Sequence, residues 1–320
     1  MSLNWITKSM YDGDVATFTF NEPIDSYFVA IRGYQLAFSG HDHHVKDIEV
    51  SMAPSKISET QVQVRASLNL DDSSGNSGYR DYTWAFVTVV ALGKQSSSAG
   101  NLEQITSLCA GPASTQMSST VEAAASALGS FKYAFSKDHH VQKTSASVSS
   151  KASDQIVTTQ GSVMMEDKSD NSADCKKLEA GLIATFLNQP GFEIRFADFN
   201  LGSTNYGKDN NKTTVTFEHD VRDAVALLAS YKMSYGSKDH HLKGIKAGNM
   251  KYDSGNNSYS TSGAIEINGK DVTVINNETM HDNSSHQSND NQATFLVIAA
   301  TDSDTGELKD LGGLRASTIE

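Results

Sequence analysis

Along Val62-Gln-Val64-Arg-Ala66-Ser-Leu68-Asn-Leu70 every second side chain is apolar, the period of a strand with one buried face. Val215-Thr-Phe217, Ile265-Glu-Ile267 and Val272-Thr-Val274 alternate in the same way. Three other segments are apolar almost without interruption: WAFVTVVAL from Trp84, AGLIATFL from Ala180 and ATFLVIAAT from Ala293. Such runs, with β-branched content, predict central strands covered on both faces. One pattern conflicts with strands. Val221-Arg-Asp-Ala-Val225-Ala-Leu-Leu228 has helical spacing and good helix formers, and Val121-Glu-Ala-Ala-Ala-Ser-Ala-Leu128 resembles it.

These segments belong to a repeat. Asp-His-His occurs at Asp42-His43-His44, Asp138-His139-His140 and Asp239-His240-His241. Each copy is followed by a branched apolar residue (Val45, Val141, Leu242) and preceded by two spaced aromatics: Tyr34 and Phe38, Phe131 and Phe135, Tyr231 and Tyr235. Upstream, Thr17-Phe18-Thr19-Phe20 with Ile24 matches Thr214-Val215-Thr216-Phe217 with Val221, and Val121 and Leu128 keep the register in the middle copy. Downstream, each copy has an alternating segment, a polar loop (DDSSGNS from Asp71, EDKSDNS from Glu166, HDNSSHQ from His281) and one of the apolar runs. The units run 14–95, 115–190 and 213–302, with tails at 1–13 and 303–320. The Gly-, Ser- and Asn-rich stretches 93–114 and 188–211 read as linkers.

Copies of one unit share a fold. In the first copy the helix-like segment is Ile24-Asp-Ser-Tyr-Phe-Val-Ala-Ile31, which reads as a strand, so a strand is expected in all three. The expected architecture is all-β and mainly antiparallel: three tandem sandwich-like repeats, packed with pseudo-threefold symmetry so that every interface is satisfied. A string of beads is the rival arrangement.

Composition narrows the function. Apolar residues make up 38% and charged residues 20%, an ordinary globular balance. A formal charge of −12 and no run of basic residues exclude an electrostatic footprint for nucleic acid or an anionic membrane. No stretch reaches the roughly 18 apolar residues of a spanning helix, and Met1-Ser-Leu-Asn-Trp-Ile-Thr-Lys has no secretory character. A soluble protein is expected, cytoplasmic or released with a particle by a signal-independent route. Cys109 and Cys175 occupy unmatched positions, which rules out a repeated disulfide framework. Nucleotide-binding, hydrolase, metalloprotease and CxxC motifs are missing, so no enzyme is expected.

Asp-His-His is the one constellation able to carry chemistry. On a strand Asp42 and His44 share one face and His43 takes the other; the same holds for Asp138 and His140 against His139, and for Asp239 and His241 against His240. One copy offers too few ligands for a metal. Three copies around an axis would bring together His44, His140 and His241, donors suited to zinc, nickel or iron. The alternative is structural: the aspartate caps backbone N–H groups, and the histidines bond carbonyls or the neighbouring unit.

The polar loops are the second candidate. Asp71, Asp72 and Asn76, then Asp167, Asp170 and Asn171, then Asp282, supply oxygens of the kind calcium prefers, though without EF-hand spacing and in the composition of solvated turns. Tyr79, Tyr82 and Trp84 beside the first loop could stack on a sugar. No cofactor is otherwise expected.

The order VATFTFNEPI, acidic turn, alternating strands and closing WAFVTVVALG resembles the H-type lectin domain. That resemblance implies a small antiparallel sandwich, a trimeric assembly (here within one chain) and sugar binding between units. Asp-His-His lies outside the lectin pattern, and Trp84 has no counterpart in the other copies. The expected function is multivalent, non-catalytic binding of a glycan or protein partner. The alternatives are an assembly subunit of a particle, phage tail or filament, in which self-association is expected, and a metal-binding scaffold.

Overall fold

The computed structural model describes residues 3–94, 100–186, 192–202, 208–301 and 315–317. The first segment supplies β1 (Leu3–Tyr11), β2 (Val15–Thr19), β3 (Ile24–Ala37), β4 (Val45–Lys56), β5 (Gln61–Asp71) and β6 (Trp84–Gly93). The middle segment supplies β7 (Gly100–Ile105), β8 (Ala113–Gln116), β9 (Val121–His139), β10 (Lys143–Ser153), β11 (Ile156–Glu166) and β12 (Asp174–Phe186). In the last segment come β13 (Phe192–Gly202), β14 (Asn211–Thr216), β15 (Val221–Ser234) and β16 (Gly244–Gly248). The short β17 (Lys251–Asp253), β18 (Ser258–Ser260) and β19 (Ile265–Asn268) precede β20 (Asp271–His281) and β21 (Asn291–Thr301), and β22 (Arg315–Ser317) pairs with β18. Among the described residues no helix is long and apolar enough to cross a membrane.

All the pairings are antiparallel, and the long strands form three sheets, ordered β1-β6-β3-β16-β20-β14, β7-β12-β9-β4-β5-β2 and β13-β21-β15-β10-β11-β8. Each sheet draws one half from one segment and the other half from another. The seams share a register: Tyr34 pairs with Ala247, Phe131 with Val50 and Tyr231 with Ala146. Among the described residues no segment completes any of these three sheets alone, so the segments stand or fall together.

The helix-like segments are strands, and bulges account for their spacing. The pairing of β15 slips at Arg222 and again at Ala229, and β3 and β9 slip at matching places, Asp25 and Arg32, and Glu122 and Gly129. Each bulge adds a residue and flips the alternation. The side chains of β15 facing the main core are therefore Val221, Ala224, Ala226, Leu228, Tyr231 and Met233, a mixture of steps of two and three that mimics a helix. Gly129 sits at such a bulge, where a Cβ would come within 2.5 Å of Gln104 Nε2.

The main core lies where the sheets face one another. Tyr34, Phe131 and Tyr231 meet there with ring centroids 5.5–5.7 Å apart, and Phe38, Phe135, Tyr235, Val45, Val141 and Leu242 are buried with them. A second core, containing Trp5, Phe28, Val90, Ile183, Val225 and Leu296, covers the opposite faces of the central strands. The uninterrupted apolar runs are thus central strands covered on both sides, as their sequence predicts.

Three expectations change. Residues 3–11, read as part of a tail, form β1, paired along its whole length with β6 and burying Leu3, Trp5, Ile6 and Met10. Residues 315–317 of the other expected tail form β22. The linkers carry β7, β8 and β13, edge strands whose polar outer faces give them linker-like composition. Cys109 and Cys175 form a disulfide, tying the turn before β8 to β12 within the middle segment.

Candidate histidine site

Each Asp-His-His element lies where a long central strand turns into the strand that crosses to another sheet. Backbone bridges lock the three elements to one another: Val45 faces His139, Val141 faces His240 and Leu242 faces His43. Side-chain alternation then sends the two histidines of each element in different directions.

The first histidines turn toward the polar loop of their own segment. His43 Nδ1 lies 3.4 Å from Asp72, His139 Nδ1 2.8 Å from Asp167, and His240 Nδ1 3.1 Å from Asp282. Their rings pack on Phe38, Phe135 and Tyr235 at 4.6–4.8 Å. These side chains retain 26%, 12% and 15% exposure, so they line the rim of the core rather than its interior.

The second histidines converge. Ring centroids of His44, His140 and His241 lie 4.4–4.6 Å apart, and their ligating nitrogens all lie within 4.8 Å of one another. His140 Nδ1 is 3.7 Å from Asp239, and His241 Nδ1 is 3.9 Å from Asp42. Burial lowers the His44 pKa, and the nearby His241 and His140 lower it further against an opposing pull from Asp138 and Asp72. A neutral imidazole is the form that ligates metals.

The aspartates bind loops of other segments. Asp138 accepts from Ser73 N–H at 2.6 Å, Asp42 from Asn283 N–H at 3.2 Å and Asp239 from Lys168 N–H at 3.4 Å. Both sequence readings therefore have a geometric basis: the carboxylates cap backbone donors, and the outer histidines gather. Asp138→Ala should lower stability by about 1 kcal/mol, the low end for a lost acceptor, because the Ser73 N–H lies at the surface and can turn to water. Chemical denaturation would measure it, and a loss above roughly 3 kcal/mol would show that the loop contact is cooperative with the core.

The polar loops have a structural task. Asp72 accepts from the N–H groups of Ser74 and Asn76 and from Asn76 Nδ2, and Asp167 does the same with Ser169 and Asn171. Burial alone would raise these carboxyl pKa values, but the bonds from Asn76 and Ser74, and from Asn171 and Ser169, outweigh it and hold them low. In the last segment Asp282 accepts from Ser284 and His286 N–H, and His286 Nδ1 takes the place of the asparagine amide at 2.7 Å. His286 is the site residue that sequence reasoning passed over. Its signal was the replacement of Asn76 and Asn171 at the fourth position after the aspartate.

The calcium expectation gains nothing from this arrangement. Asp71 ends β5 opposite Asp47, Asp170 sits at a left-handed turn position, and Asp72 and Asp167 are committed to loop N–H groups. Among the described residues, the groups of three or more His, Cys, Asp or Glu ligands close enough to share an ion are the histidine triad and His240–Asp282–His286. Trp84 cannot stack on a sugar: it is fully buried against Phe86 and Tyr259. The partly exposed Tyr79 does lie beside Tyr82, with centroids 5.4 Å apart.

No protein-family description, curated protein or solved structure matches the chain.

Proposed function

We propose that this is a non-catalytic transition-metal-binding protein, built from three copies of one β unit around a pseudo-threefold axis, with His44, His140 and His241 as the ligands. The convergence of those three imidazoles carries the reading. The matching seam registers and the three interlocking backbone bridges support the pseudo-symmetric packing.

The donor set suits a borderline divalent ion such as zinc or nickel. Zinc–nitrogen bonds are about 2.0–2.1 Å, so rotating the three rings inward by roughly an ångström would complete a three-nitrogen site, leaving further positions to water or an external ligand. Asp42 and Asp239 stand beside the Nδ1 atoms of His241 and His140. At 3.9 and 3.7 Å these are not hydrogen bonds. The ring rotation that gathers the nitrogens would have to bring the carboxylates within bonding distance for them to hold Nδ1–H and leave Nε2 free to ligate. The ion would cross-link all three segments and so stabilise the folded chain.

Metal-depleted protein titrated with zinc chloride should take up an equivalent that His140→Ala abolishes, and its melting temperature should rise with zinc and fall with chelator. Uptake and melting curves that are the same in wild type and His140→Ala would overturn the reading.

Glycan binding is supported by one observation of its own. The strands β13, β21, β15 and β10 present a polar groove lined by Asp198, Asn200, Lys232, Gln292, Ser145 and Ser147, a donor and acceptor set of the kind sugars hydrogen-bond. It spans the seam between the last and middle segments. A glycan array should show binding that Asp198→Ala removes, and an array negative at millimolar ligand would reject this second reading.

A further inference from the structure

We infer that His240, Asp282 and His286 form a second divalent-metal site, present only in the last segment and independent of the histidine triad. The three polar loops provide the comparison. In each, an aspartate nearly closed off from water accepts two loop N–H groups through one oxygen, which fixes its orientation. In each, the other oxygen meets Nδ1 of the first histidine of that segment's Asp-His-His element. The last partner differs. Asn76 and Asn171 offer an amide nitrogen, which has no lone pair to give to a metal. In the last segment that place is taken by an imidazole.

The result is a two-imidazole, one-carboxylate cluster. Asp282 Oδ2 lies 3.1 Å from His240 Nδ1 and 2.7 Å from His286 Nδ1, and the two rings lie 4.3 Å apart with their planes at 35°. Ligand atoms bonded at about 2.0–2.1 Å to a tetrahedral ion are roughly 3.3 Å apart, so a small opening of the cluster admits the ion. In their neutral Nδ1–H form both imidazoles would donate to this one carboxylate oxygen; with an ion on Nδ1, each neutral ring carries its single proton on Nε2 instead. The carboxylate is already held by the Ser284 and His286 N–H groups, the outer support that a first-row metal site needs. The His286 side chain is 55% exposed, which leaves the remaining coordination positions open to water. Two imidazoles and a carboxylate suit zinc, copper(II) or nickel rather than calcium.

The other loops also supply the control. His286→Asn gives the last loop the partner that already serves in the other two, so it should leave the melting temperature of the metal-free protein unchanged. Full-length, metal-depleted protein titrated with zinc chloride, and read by native mass spectrometry and calorimetry, should bind two ions. His286→Asn should bind one, and Asn76→His, which builds the same cluster around His43 and Asp72, should bind three. A wild type that binds one ion, lost in His140→Ala and kept in His286→Asn, would overturn the second site and leave the triad standing. One ion lost in His286→Asn and kept in His140→Ala would support the second site and remove the triad. Uptake by His286→Asn equal to wild type, or saturation only at millimolar zinc, would overturn the proposal.

Discussion

Phe131→Ala is expected to cost on the order of 3–5 kcal/mol of unfolding free energy, the range for deleting a buried phenylalanine ring. Phe131 has no exposed surface and lies 5.5 Å from the Tyr34 ring, 5.6 Å from Tyr231 and 5.8 Å from Tyr133. These rings come from three different segments, held by seams on which no segment can close alone. A cavity there has little freedom to collapse, because the surrounding backbones are fixed by long antiparallel ladders. Urea denaturation should show one transition, shifted as a whole and coincident by fluorescence and far-ultraviolet circular dichroism. Tryptophan fluorescence reports Trp5 and Trp84 of the first segment, and circular dichroism reports the strands of all three. Two separated transitions would show that the segments unfold independently and that the seams contribute little.

The repeat made much of this legible. Asp-His-His with its flanking aromatics marked the place where the central strands turn, and the matched aromatics are buried in all three segments. His44, His140 and His241, which side-chain alternation puts on the same side of their elements, do lie together. Strand exchange was not legible, because hydrophobic alternation says which face of a strand is buried and nothing about which strand lies beside it. The edge strands β7, β8 and β13 were hidden for a related reason: an edge strand with one wet face, flanked by Gly and Ser, has the composition of a linker. The Cys109–Cys175 bridge lies within one segment and has no counterpart in the others, so the repeat could not point to it.

The last segment departs most from the pattern, in its interior. Along β20 the side chains facing the main core run Val272, Val274, Asn276, Glu278 and Met280, with Glu278 four residues before Asp282. The same position before Asp72 and Asp167 holds Leu68 and Val163. An acid in an alternating strand reads as a wet-face residue, yet Glu278 has no exposed surface. The sequence also gave no hint that Asn276, Asn277 and Thr279 would be buried beside it. Part of the reason is the insertion of β17 to β19, which covers that end of the sheet; Asn277, for example, donates to Met250 O.

Glu278→Gln is therefore expected to stabilise the protein at alkaline pH and to be nearly neutral at pH 4. Burial pushes the Glu278 carboxyl up to about 8 from 4.5; Asn276, which donates to Oε2 at 3.1 Å, opposes the shift without cancelling it. Between those two values the folded chain holds a proton that the unfolded chain has released. More protons bound in the folded state means that stability falls as pH rises through that window. At about 1.4 kcal/mol per pH unit, the wild type should lose on the order of 4–5 kcal/mol between pH 4.5 and 8 through this one group. Glutamine carries no such proton and keeps an oxygen for Asn276, so the loss disappears. Two other buried groups also bend the curve. His281 is lowered to about 3, mainly by burial, and adds stability as pH rises from about 3 to 6.5; Lys246, lowered to about 7 by burial, adds it from about 7 to 10.5. Both remain in the variant and cancel in the difference. Denaturant midpoints for the two proteins, measured at matched pH from 4 to 9, should diverge between pH 4.5 and about 8 and run parallel above it. A constant offset would mean that Glu278 is ionised in the folded protein at neutral pH and that the core compensates its charge.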